Sequence, residues 1–375
     1  MLPFPAILAF LHRAIRRGVT LAGLWICALS PAWALETVTL QLKWTHAFQF
    51  AGYYAALEQG YYRNAGLNIQ LREGGPDIDP LASVLAGKAQ YGVGTSSLLL
   101  ARQAGQPVVV LAVVFQHSPL VLLVRRGDSS QGIPGIHDLA GKRVMLEPQS
   151  DELIAYLKQE GIALDQLVQV PHGHSEHYDA LIQGDVDAIS AYDTYEPYYL
   201  DRAGIAYQTF SPRKGGIDFY GDNLFTTEEE LKAHPQRVRA FRDASLRGWR
   251  YAMAHPEEIA DLIVAKYSQQ HPRDFYLFEA QRLAPLLRAD LVEVGYMNQD
   301  RWRHIAETYA NLGLLPANFS LEGFLYEPDT PPDLTKLFIP LALAGKSRSE
   351  ERDPVIFPTS PSGGVVWREG FIVTD

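Results

Sequence analysis

The sequence predicts an α/β fold in two lobes, and three observations support that expectation. From Thr37 onward, short apolar runs of strand length alternate with amphipathic stretches of helix length, which is typical of α/β proteins. The length of the chain suits two lobes of roughly 100–200 residues each. From Leu224 the pattern becomes mainly helical, with His-Pro and Gly separating successive helices.

The first 34 residues match a secretory signal peptide and are not expected to be part of the fold. A cluster of arginines between residues 13 and 17 precedes an apolar stretch over residues 19–29, and Ala32-Trp33-Ala34 offers small residues for cleavage. We expect cleavage after Ala34 and a periplasmic location. A retained membrane anchor and a lipid-modified Cys27 are the alternatives, and bulky Ile26 argues against the lipid.

Strands and helices alternate through the first unit of the predicted fold. The predicted elements are a strand at Thr37–Leu42, a helix at Phe48–Gln59, a strand at Leu67–Leu71, a helix at Pro80–Ala86, a strand at Tyr91–Gly94, a helix at Ser97–Gln103 and strands at Val108–Phe115 and Val121–Arg125. The strand at Val108–Phe115 is apolar enough to be buried on both faces.

A second unit follows a polar, Gly-rich connection at Gly127–Gly135. It is predicted to contain strands at Arg143–Leu146, Leu167–Val170, Ala188–Ala191 and Ala206–Phe210, and helices at Glu152–Gln159, His177–Gln183 and Glu196–Ala203. Three further amphipathic helices are predicted at Pro235–Ala254, Pro256–Tyr267 and Gln299–Leu312, and Thr227 with Glu230 can form a capping box ahead of them. Residues 329–375 are rich in Pro, Ser and Gly, and we expect a flexible tail.

Composition excludes several function classes. The formal net charge of −10 argues against a nucleic acid partner. No stretch after residue 34 has the length and apolarity of a membrane span. The chain has no Gly-rich phosphate loop, no nucleophile elbow and no CxxC pair, so no catalytic residue is predicted. His172, His174 and His177 beside Glu176 are more typical of a polar loop than of a metal site, and no metal is predicted.

Several segments together resemble the periplasmic thiamine-pyrimidine-precursor-binding proteins, which share a fold with the thiamine pyrimidine synthases. The segments that carry the resemblance are Leu40-Gln-Leu-Lys-Trp44, Gln49-Phe-Ala-Gly-Tyr-Tyr-Ala-Ala56, Gly60-Tyr-Tyr-Arg-Asn-Ala-Gly66, Val186-Asp-Ala188, Asp193-Thr-Tyr-Glu196-Pro197 and Asp218-Phe-Tyr-Gly-Asp-Asn-Leu-Phe225. The resemblance as a whole covers roughly residues 36–328.

The resemblance implies a type II periplasmic-binding-protein fold with a ligand cleft between its lobes. Lobe one would combine residues 36–124 and 224–328, and lobe two would comprise residues 125–223. The chain would cross between the lobes near Val124–Gly127 and near Gly215–Leu224.

Candidate ligand-binding residues of lobe one follow predicted strands or begin helices. Trp44 follows the strand Thr37–Leu42, where its indole could stack on a flat ring or pack between lobes. Tyr53 could direct its hydroxyl into the cleft, although aromatic side chains at this spacing also form cores. Ser96 lies at a helix start that suits an anion or a simple cap. His117 ends a buried strand, and a structural role is an open alternative.

Glu196 is the leading polar candidate, because a carboxylate can engage a ring nitrogen and an exocyclic amine of an aminopyrimidine together. The alternative is that Glu196 caps its own helix. Just before it, Asp193 offers a second carboxylate and Tyr192 a stacking face. Tyr220 and Asp222, at the return crossing, could meet the ligand as the lobes close.

Three functions compete on these grounds. The leading one is a monomeric, non-catalytic receptor without a cofactor that captures a small-molecule thiamine pyrimidine precursor for an ABC permease at the inner membrane. The second is a thiamine pyrimidine synthase using pyridoxal phosphate, histidine and iron. The absence of cysteine after residue 34 and the expected export both argue against it. The third is a ligand-sensing input for a membrane kinase or cyclase.

Overall fold

The computed structural model describes residues 35–127, 135–171 and 177–327. The predicted signal peptide, the C-terminal tail and His172, His174 and Glu176 lie outside these residues. The described chain forms two five-stranded sheets with helices around them. None of the helices in the described ranges is long and apolar enough to cross a membrane.

The first sheet combines strands from two distant parts of the sequence. Its strands are β1 (Glu36–Gln41), β2 (Leu67–Arg72), β3 (Tyr91–Gly94), β4 (Val108–Val113) and β10 (Asn223–Thr227), in the spatial order β2-β1-β3-β10-β4. β1 is parallel to β2 and β3, whereas β10 runs antiparallel to β3 and β4. Every residue of β4 is buried, as its continuous apolar run predicts.

The second sheet lies within one continuous stretch of the chain. Its strands are β5 (Leu120–Arg125), β6 (Arg143–Met145), β7 (Val168–Gln169), β8 (Ala188–Tyr192) and β9 (Tyr207–Phe210), in the spatial order β7-β6-β8-β5-β9. β6 is parallel to β7 and β8, and β5 is antiparallel to β8 and β9.

The first crossing between the sheets lies earlier in the chain than the sequence suggested. β5 pairs with β8 and β9, so the segment up to Val124 does not all belong with the first sheet. The chain therefore crosses within residues 114–119, where the polar run Gln116-His117-Ser118 and Pro119 end the apolar pattern of β4. The return crossing falls within residues 211–222, between β9 and β10.

Twelve helices in the described ranges cover the sheets. They are α1 (Ala51–Glu58), α2 (Tyr61–Asn64), α3 (Pro80–Leu85), α4 (Leu98–Gln103), α5 (Asp151–Gln159), α6 (His177–Gln183), α7 (Glu196–Arg202), α8 (Glu228–Ala233), α9 (Pro235–Ala254), α10 (Pro256–Lys266), α11 (Arg273–Leu287) and α12 (Gln299–Asn311). Short 3₁₀ turns occur at Phe48–Phe50, Ile136–Leu139 and Leu164–Gln166.

The predicted helices agree with the observed bounds to within one residue except for the one from Phe48, and α2, α8 and α11 are observed without having been predicted. The predicted helix from Phe48 begins as a 3₁₀ turn before α1. α11 was not predicted; Pro285 lies near its C-terminal end, where a missing N–H removes only one helical bond. Thr227 caps α8, accepting from the Glu230 N–H at 3.1 Å. The Glu230 carboxylate does not complete the box and pairs with Arg237.

α9 packs closely against α1 because each helix has a glycine at the contact. A Cβ atom on Gly248 would lie 2.1 Å from the carbonyl oxygen of Gly52. A Cβ atom on Gly52 would lie 2.1 Å from the Trp249 ring, which is 1% exposed. Neither position has room for a larger side chain, so the backbones of α1 and α9 lie close together at this contact.

Candidate functional site

The loops that follow several strands of both sheets line one small cavity. Lys43 and Trp44 follow β1 in the first sheet, Glu147 follows β6 in the second, and Tyr192 ends β8. The cavity measures about 30 Å³, and its lining residues are Lys43, Trp44, Gln49, Glu147, Tyr192, Tyr195 and Glu196. Carboxyl ends of strands are where ligands bind in open α/β sheets, so we call this cavity the candidate site.

Glu196 is a buried carboxylate on the wall of the candidate site. It is 3% exposed, and its Oε2 accepts a hydrogen bond from the backbone N–H of Tyr192 at 2.7 Å. This donor lies ahead of α7, and the position before the helix, Tyr195, makes no side-chain cap. This bond is therefore not the helix cap that was the alternative role predicted for Glu196. A negative charge in the first turn of α7 still interacts favourably with the helix dipole.

Asp222 lies behind the cavity at the centre of a hydrogen-bond network. Gln49 Nε2 donates to Oδ2 at 2.7 Å, and the Tyr192 hydroxyl donates to Oδ1 at 3.1 Å. Burial raises the pKa of Asp222, and the charge of Lys43 and the bonds from Gln49 and Tyr192 oppose that rise. The network holds the carboxylate at a junction of the first sheet, the second sheet and the return crossing.

Lys43 brings a cation to this network. Its Nζ lies 3.7 Å from Oδ1 of Asp222, donates to the Tyr192 hydroxyl and sits 4.6 Å from the centroid of the Tyr192 ring. The Lys43 side chain is 14% exposed, so the pair is poorly screened by solvent. Lys43 thus joins a loop of the first sheet to the end of β8 in the second.

Tyr195 connects the candidate site to the segment between α10 and α11. Its hydroxyl hydrogen-bonds Nε2 of His271 at 2.8 Å, and Tyr199 bonds the other ring nitrogen. Burial lowers the pKa of His271 to about 4. The ring is consequently neutral near neutral pH, with one nitrogen donating and the other accepting, which matches two hydroxyl partners.

Four of the predicted site residues are brought together, with three on the cavity wall and one behind it. Trp44, Tyr192 and Glu196 line the candidate site, and Asp222 backs it. The structure adds Lys43, Gln49, Glu147 and Tyr195, which the sequence analysis did not single out. Lys43, Gln49 and Tyr195 lie inside the segments that carry the family resemblance, and Glu147 follows a predicted strand. Their positions along the chain are the sequence feature that could have identified them as cleft residues.

Three predicted residues have other roles in the fold. Tyr53 is in the core, 1% exposed, with its ring edge-on to Trp249 at 5.7 Å between centroids. Ser96 donates to the carbonyl of Tyr220 at 2.8 Å and does not cap α4, whose preceding residue is Ser97. Tyr220 is buried against Trp302, with the Arg301 guanidinium 4.3 Å from its ring centroid. These aromatic rings serve packing, which their spacing alone could not separate from a cleft role.

His117 and Asp193 also lie outside the wall of the candidate site. His117 Nδ1 is 2.8 Å from a carboxylate oxygen of Asp218, which also pairs with Arg213 and Arg301. This is the structural alternative, a polar cluster where the two crossings meet. Burial raises the pKa of Asp193 to about 6, and its backbone N–H donates to the Pro119 carbonyl at 2.9 Å.

Within the described ranges, no group of three or more His, Cys, Asp or Glu side chains is arranged to hold a metal ion. Two of the three histidines considered in the sequence, His172 and His174, and the neighbouring Glu176 fall outside those ranges.

Comparisons with known proteins bear on this geometry. A family model described as NMT1/THI5-like matches residues 47–259, more than half of the 375 residues. The riboflavin-binding protein RibY of Chloroflexus aurantiacus is 25% identical over 295 residues, covering 76% of this chain and 83% of that protein. The formylaminopyrimidine-binding protein of Halalkalibacterium halodurans is 23% identical over 241 residues, covering 63% and 72%.

Solved structures with the same fold include periplasmic binding proteins. The periplasmic aliphatic sulphonate-binding protein SsuA of Escherichia coli superposes with a TM-score of 0.58 at 15% identity, covering 85% of this chain and 97% of that one. The predicted two-lobed type II periplasmic-binding-protein fold is therefore confirmed.

Proposed function

Because the chain belongs to the NMT1/THI5-like family, we propose that it is an exported solute-binding protein that captures a flat, nitrogen-rich heteroaromatic ligand of the aminopyrimidine type. It releases that ligand to an ABC permease at the inner membrane and acts as a periplasmic monomer. The relative that binds formylaminopyrimidine supports this ligand class.

One observation carries the proposal: the Glu196 carboxylate and the Trp44 indole line the same cavity. A buried carboxylate can accept from an exocyclic amine and meet a ring nitrogen, and such charged hydrogen bonds are roughly twice as strong as neutral ones. An indole beside it offers a stacking face for the ring. Tyr192 and Tyr195 add further aromatic surface.

Ligand entry requires the two sheets to move apart. The candidate site has a volume of about 30 Å³, which is close to the volume that one molecule occupies in liquid water. Pockets for small molecules measure roughly 300–1,000 Å³. Since the lining residues come from both sheets, separation at the two crossings widens the cavity, and reclosure places Trp44 and Glu196 on the ligand.

A second candidate ligand is a flavin. The relative named as riboflavin-binding covers more of this chain than the formylaminopyrimidine-binding one, 76% against 63%. An isoalloxazine is also flat and rich in ring nitrogen, so the same wall suits it.

Calorimetric titration of a Glu196→Gln variant tests the proposal. Glutamine keeps the size of the side chain and an oxygen for the Tyr192 N–H but removes the charge. We expect formylaminopyrimidine affinity to fall about 10- to 100-fold, the effect of one charged hydrogen bond. Asp201→Asn is the matched control, because Asp201 is an exposed acid of the same helix, and its affinity should stay at the wild-type value.

Unchanged affinity in Glu196→Gln would contradict the assigned role. Riboflavin titrated in parallel decides between the two ligand classes. The alternative of a synthase activity, against which the sequence argues, would be established by turnover of pyridoxal phosphate by the purified protein. A sensor role stays a prediction, which ligand-dependent binding to a membrane kinase or cyclase would establish.

A further inference from the structure

Gln49 brings a carboxamide to the wall of the candidate site. The residue is 4% exposed, and its Nε2 donates to Oδ2 of Asp222 behind the cavity at 2.7 Å. None of the described residues forms a hydrogen bond to the other end of this amide, Oε1. Because the two ends of a planar amide point in different directions, the oxygen is left to bond whatever occupies the cavity.

The orientation of the Gln49 amide is set by Asp222. An ionised carboxylate only accepts hydrogen bonds, so the amide turns its nitrogen towards Asp222 and its oxygen away. The cation of Lys43 lies 3.7 Å from Oδ1 and favours the ionised form, and Oδ1 also accepts from the Tyr192 hydroxyl at 3.1 Å. The two carboxylate oxygens therefore have different partners: Oδ2 holds Gln49, and Oδ1 holds Tyr192 and Lys43.

The backbone around Gln49 is held from another side. Gln49 lies in the 3₁₀ turn Phe48–Phe50, and the Glu279 carboxylate of α11 accepts from the Phe48 N–H at 2.7 Å. Glu279 and Asp222 are both buried, 1% and 2% exposed. A side chain that is fixed at its backbone and at its amide nitrogen presents its oxygen in one direction, as a specific polar contact requires.

An acceptor oxygen on the cavity wall selects ligands by the position of their donors. Gln49 and Glu196 line the same cavity, and its volume of about 30 Å³ places both within reach of one small polar group. An exocyclic amine has two hydrogens and can donate to both side chains at once. A ring carbonyl at the same place would set a second acceptor against the Gln49 oxygen, and loss of one such bond lowers affinity roughly 10- to 100-fold.

We infer that Gln49 is a specificity-determining residue that accepts from an exocyclic amine of the ligand, and that Asp222 is the positioning residue that keeps Gln49 an acceptor. Asp222 acts through Gln49 and is not part of the cavity wall. The inference rests on the proposed function and deepens it, because it assigns the choice between a ring amine and a ring carbonyl to these two residues.

An Asp222→Asn variant tests the inference, because a reversal of preference is expected. The donors Tyr192 and Lys43 keep an oxygen at the Oδ1 position, so the new amide nitrogen takes the place of Oδ2 and faces Gln49. The Gln49 amide then turns over, with its oxygen on this new donor and its own nitrogen towards the cavity. The wall changes from an acceptor to a donor, while both side chains keep their size.

Calorimetric titration with two probes measures the preference. They are formylaminopyrimidine and its oxo analogue, in which a carbonyl and an adjacent ring N–H replace the ring amine and a ring nitrogen. We expect the wild type to bind the amine about 10- to 100-fold more tightly. In Asp222→Asn this ratio should move towards the oxo analogue by at least about tenfold. A general loss of affinity cancels from the ratio, so a merely structural role of Asp222 would not move it.

Two further variants complete the test. Gln49→Leu removes the amide and leaves Asp222 in place, so the ratio of the two affinities should fall to within about threefold of one. It serves as an independent test should Asp222→Asn fail to fold. Asp201→Asn is the matched control, because it makes the same change at an exposed acid, and its ratio should equal that of the wild type.

The outcomes separate this inference from the proposed function. A wild-type ratio in Asp222→Asn, or an amine preference that survives Gln49→Leu, would overturn the inference and leave the proposed function standing. Failure of the wild type to bind either pyrimidine would overturn the inference together with the aminopyrimidine assignment on which it rests.

Discussion

Lys43 and Asp222, which are far apart in the chain, form a buried ion pair. Asp222 is 2% exposed and Lys43 14% exposed. A carboxylate in such a place depends on its cation and on the donors Gln49 and Tyr192. Removal of one partner leaves an uncompensated buried charge, which costs more than the pair contributes.

Lys43→Met is predicted to lower the free energy of unfolding by roughly 3–5 kcal/mol, because Asp222 then remains buried without its cation. Adding Asp222→Asn should restore most of that loss. Urea denaturation followed by circular dichroism measures both. The control is Arg303→Met, which breaks an exposed pair with Asp300 and should cost about 1 kcal/mol or less. A cost for Lys43→Met no larger than the control would contradict the buried-pair account.

His271 is predicted to make stability depend on pH. Burial lowers its pKa from 6.5 to about 4. Between these values the unfolded chain binds a proton on His271 and the folded protein does not, so stability falls as the pH falls. Between about pH 7 and about pH 4.5 the wild type should lose roughly 2 kcal/mol more than His271→Gln. Urea denaturation of both proteins at both pH values checks this, and parallel losses would refute it.

The sequence predicted part of the candidate site for a physical reason. Trp44, Tyr192 and Glu196 stand at strand or helix ends, and position along the chain is enough to place them at the cleft. Tyr53 and Tyr220 have the same residue type as true wall residues, yet their rings face the core. The direction of an aromatic side chain depends on tertiary packing, which a single sequence does not reveal.

At the scale of elements, the contact between α1 and α9 depends on glycines. Gly248 has ordinary helical neighbours in sequence, and by propensity alone an alanine would favour α9 by about 1 kcal/mol. The space is absent, since a Cβ there would lie 2.1 Å from the Gly52 carbonyl oxygen and 2.6 Å from the Ala56 Cβ. The clash includes backbone, which cannot move aside as a flexible side chain can.

Gly248→Ala is therefore predicted to destabilise the protein by about 1–3 kcal/mol, opposite in sign to helix propensity, because overpacking forces the two helices apart. Thermal unfolding measures the change. Arg239→Ala, an exposed position of the same helix, is the control and should stay within about 0.5 kcal/mol of wild type. Stabilisation by Gly248→Ala would show that α1 and α9 do not pack this closely.

Most strands and helices could be predicted from the sequence, but the strands with which each strand pairs could not. β4 and α9 follow from local patterns of apolar residues. β5 is equally apolar, and its pattern does not show which sheet it joins, so the sequence predicts the crossing later in the chain than it occurs in the structure. β10 is inserted between β3 and β4 from about 110 residues further along. Such long-range pairing is a property of the fold and needed the resemblance to be inferred.

At the scale of the whole molecule, the candidate site lies where the loop ends of two sheets meet. The chain crosses between them within residues 114–119 and 211–222. The Lys43–Tyr192 bond and the Tyr195–His271 bond tie the second sheet and its helices to the first. A ligand that binds between the sheets must replace part of these contacts. The equilibrium between the open and the closed form then depends on the contacts that the ring and polar groups of the ligand make in the closed form.

The most direct test of this account is the thermal unfolding of the purified protein with formylaminopyrimidine, riboflavin and an alkanesulfonate in separate samples. We predict stabilisation by a heteroaromatic ligand, worth about 2.7 kcal/mol at roughly 100 times its Kd. We predict none by the sulfonate, because the described lining residues of the candidate site include two carboxylates, Glu147 and Glu196, and one cation, Lys43, which already pairs with Asp222. Stabilisation by the sulfonate alone, or by none of the three, would contradict the claim that this protein binds a flat, nitrogen-rich ring.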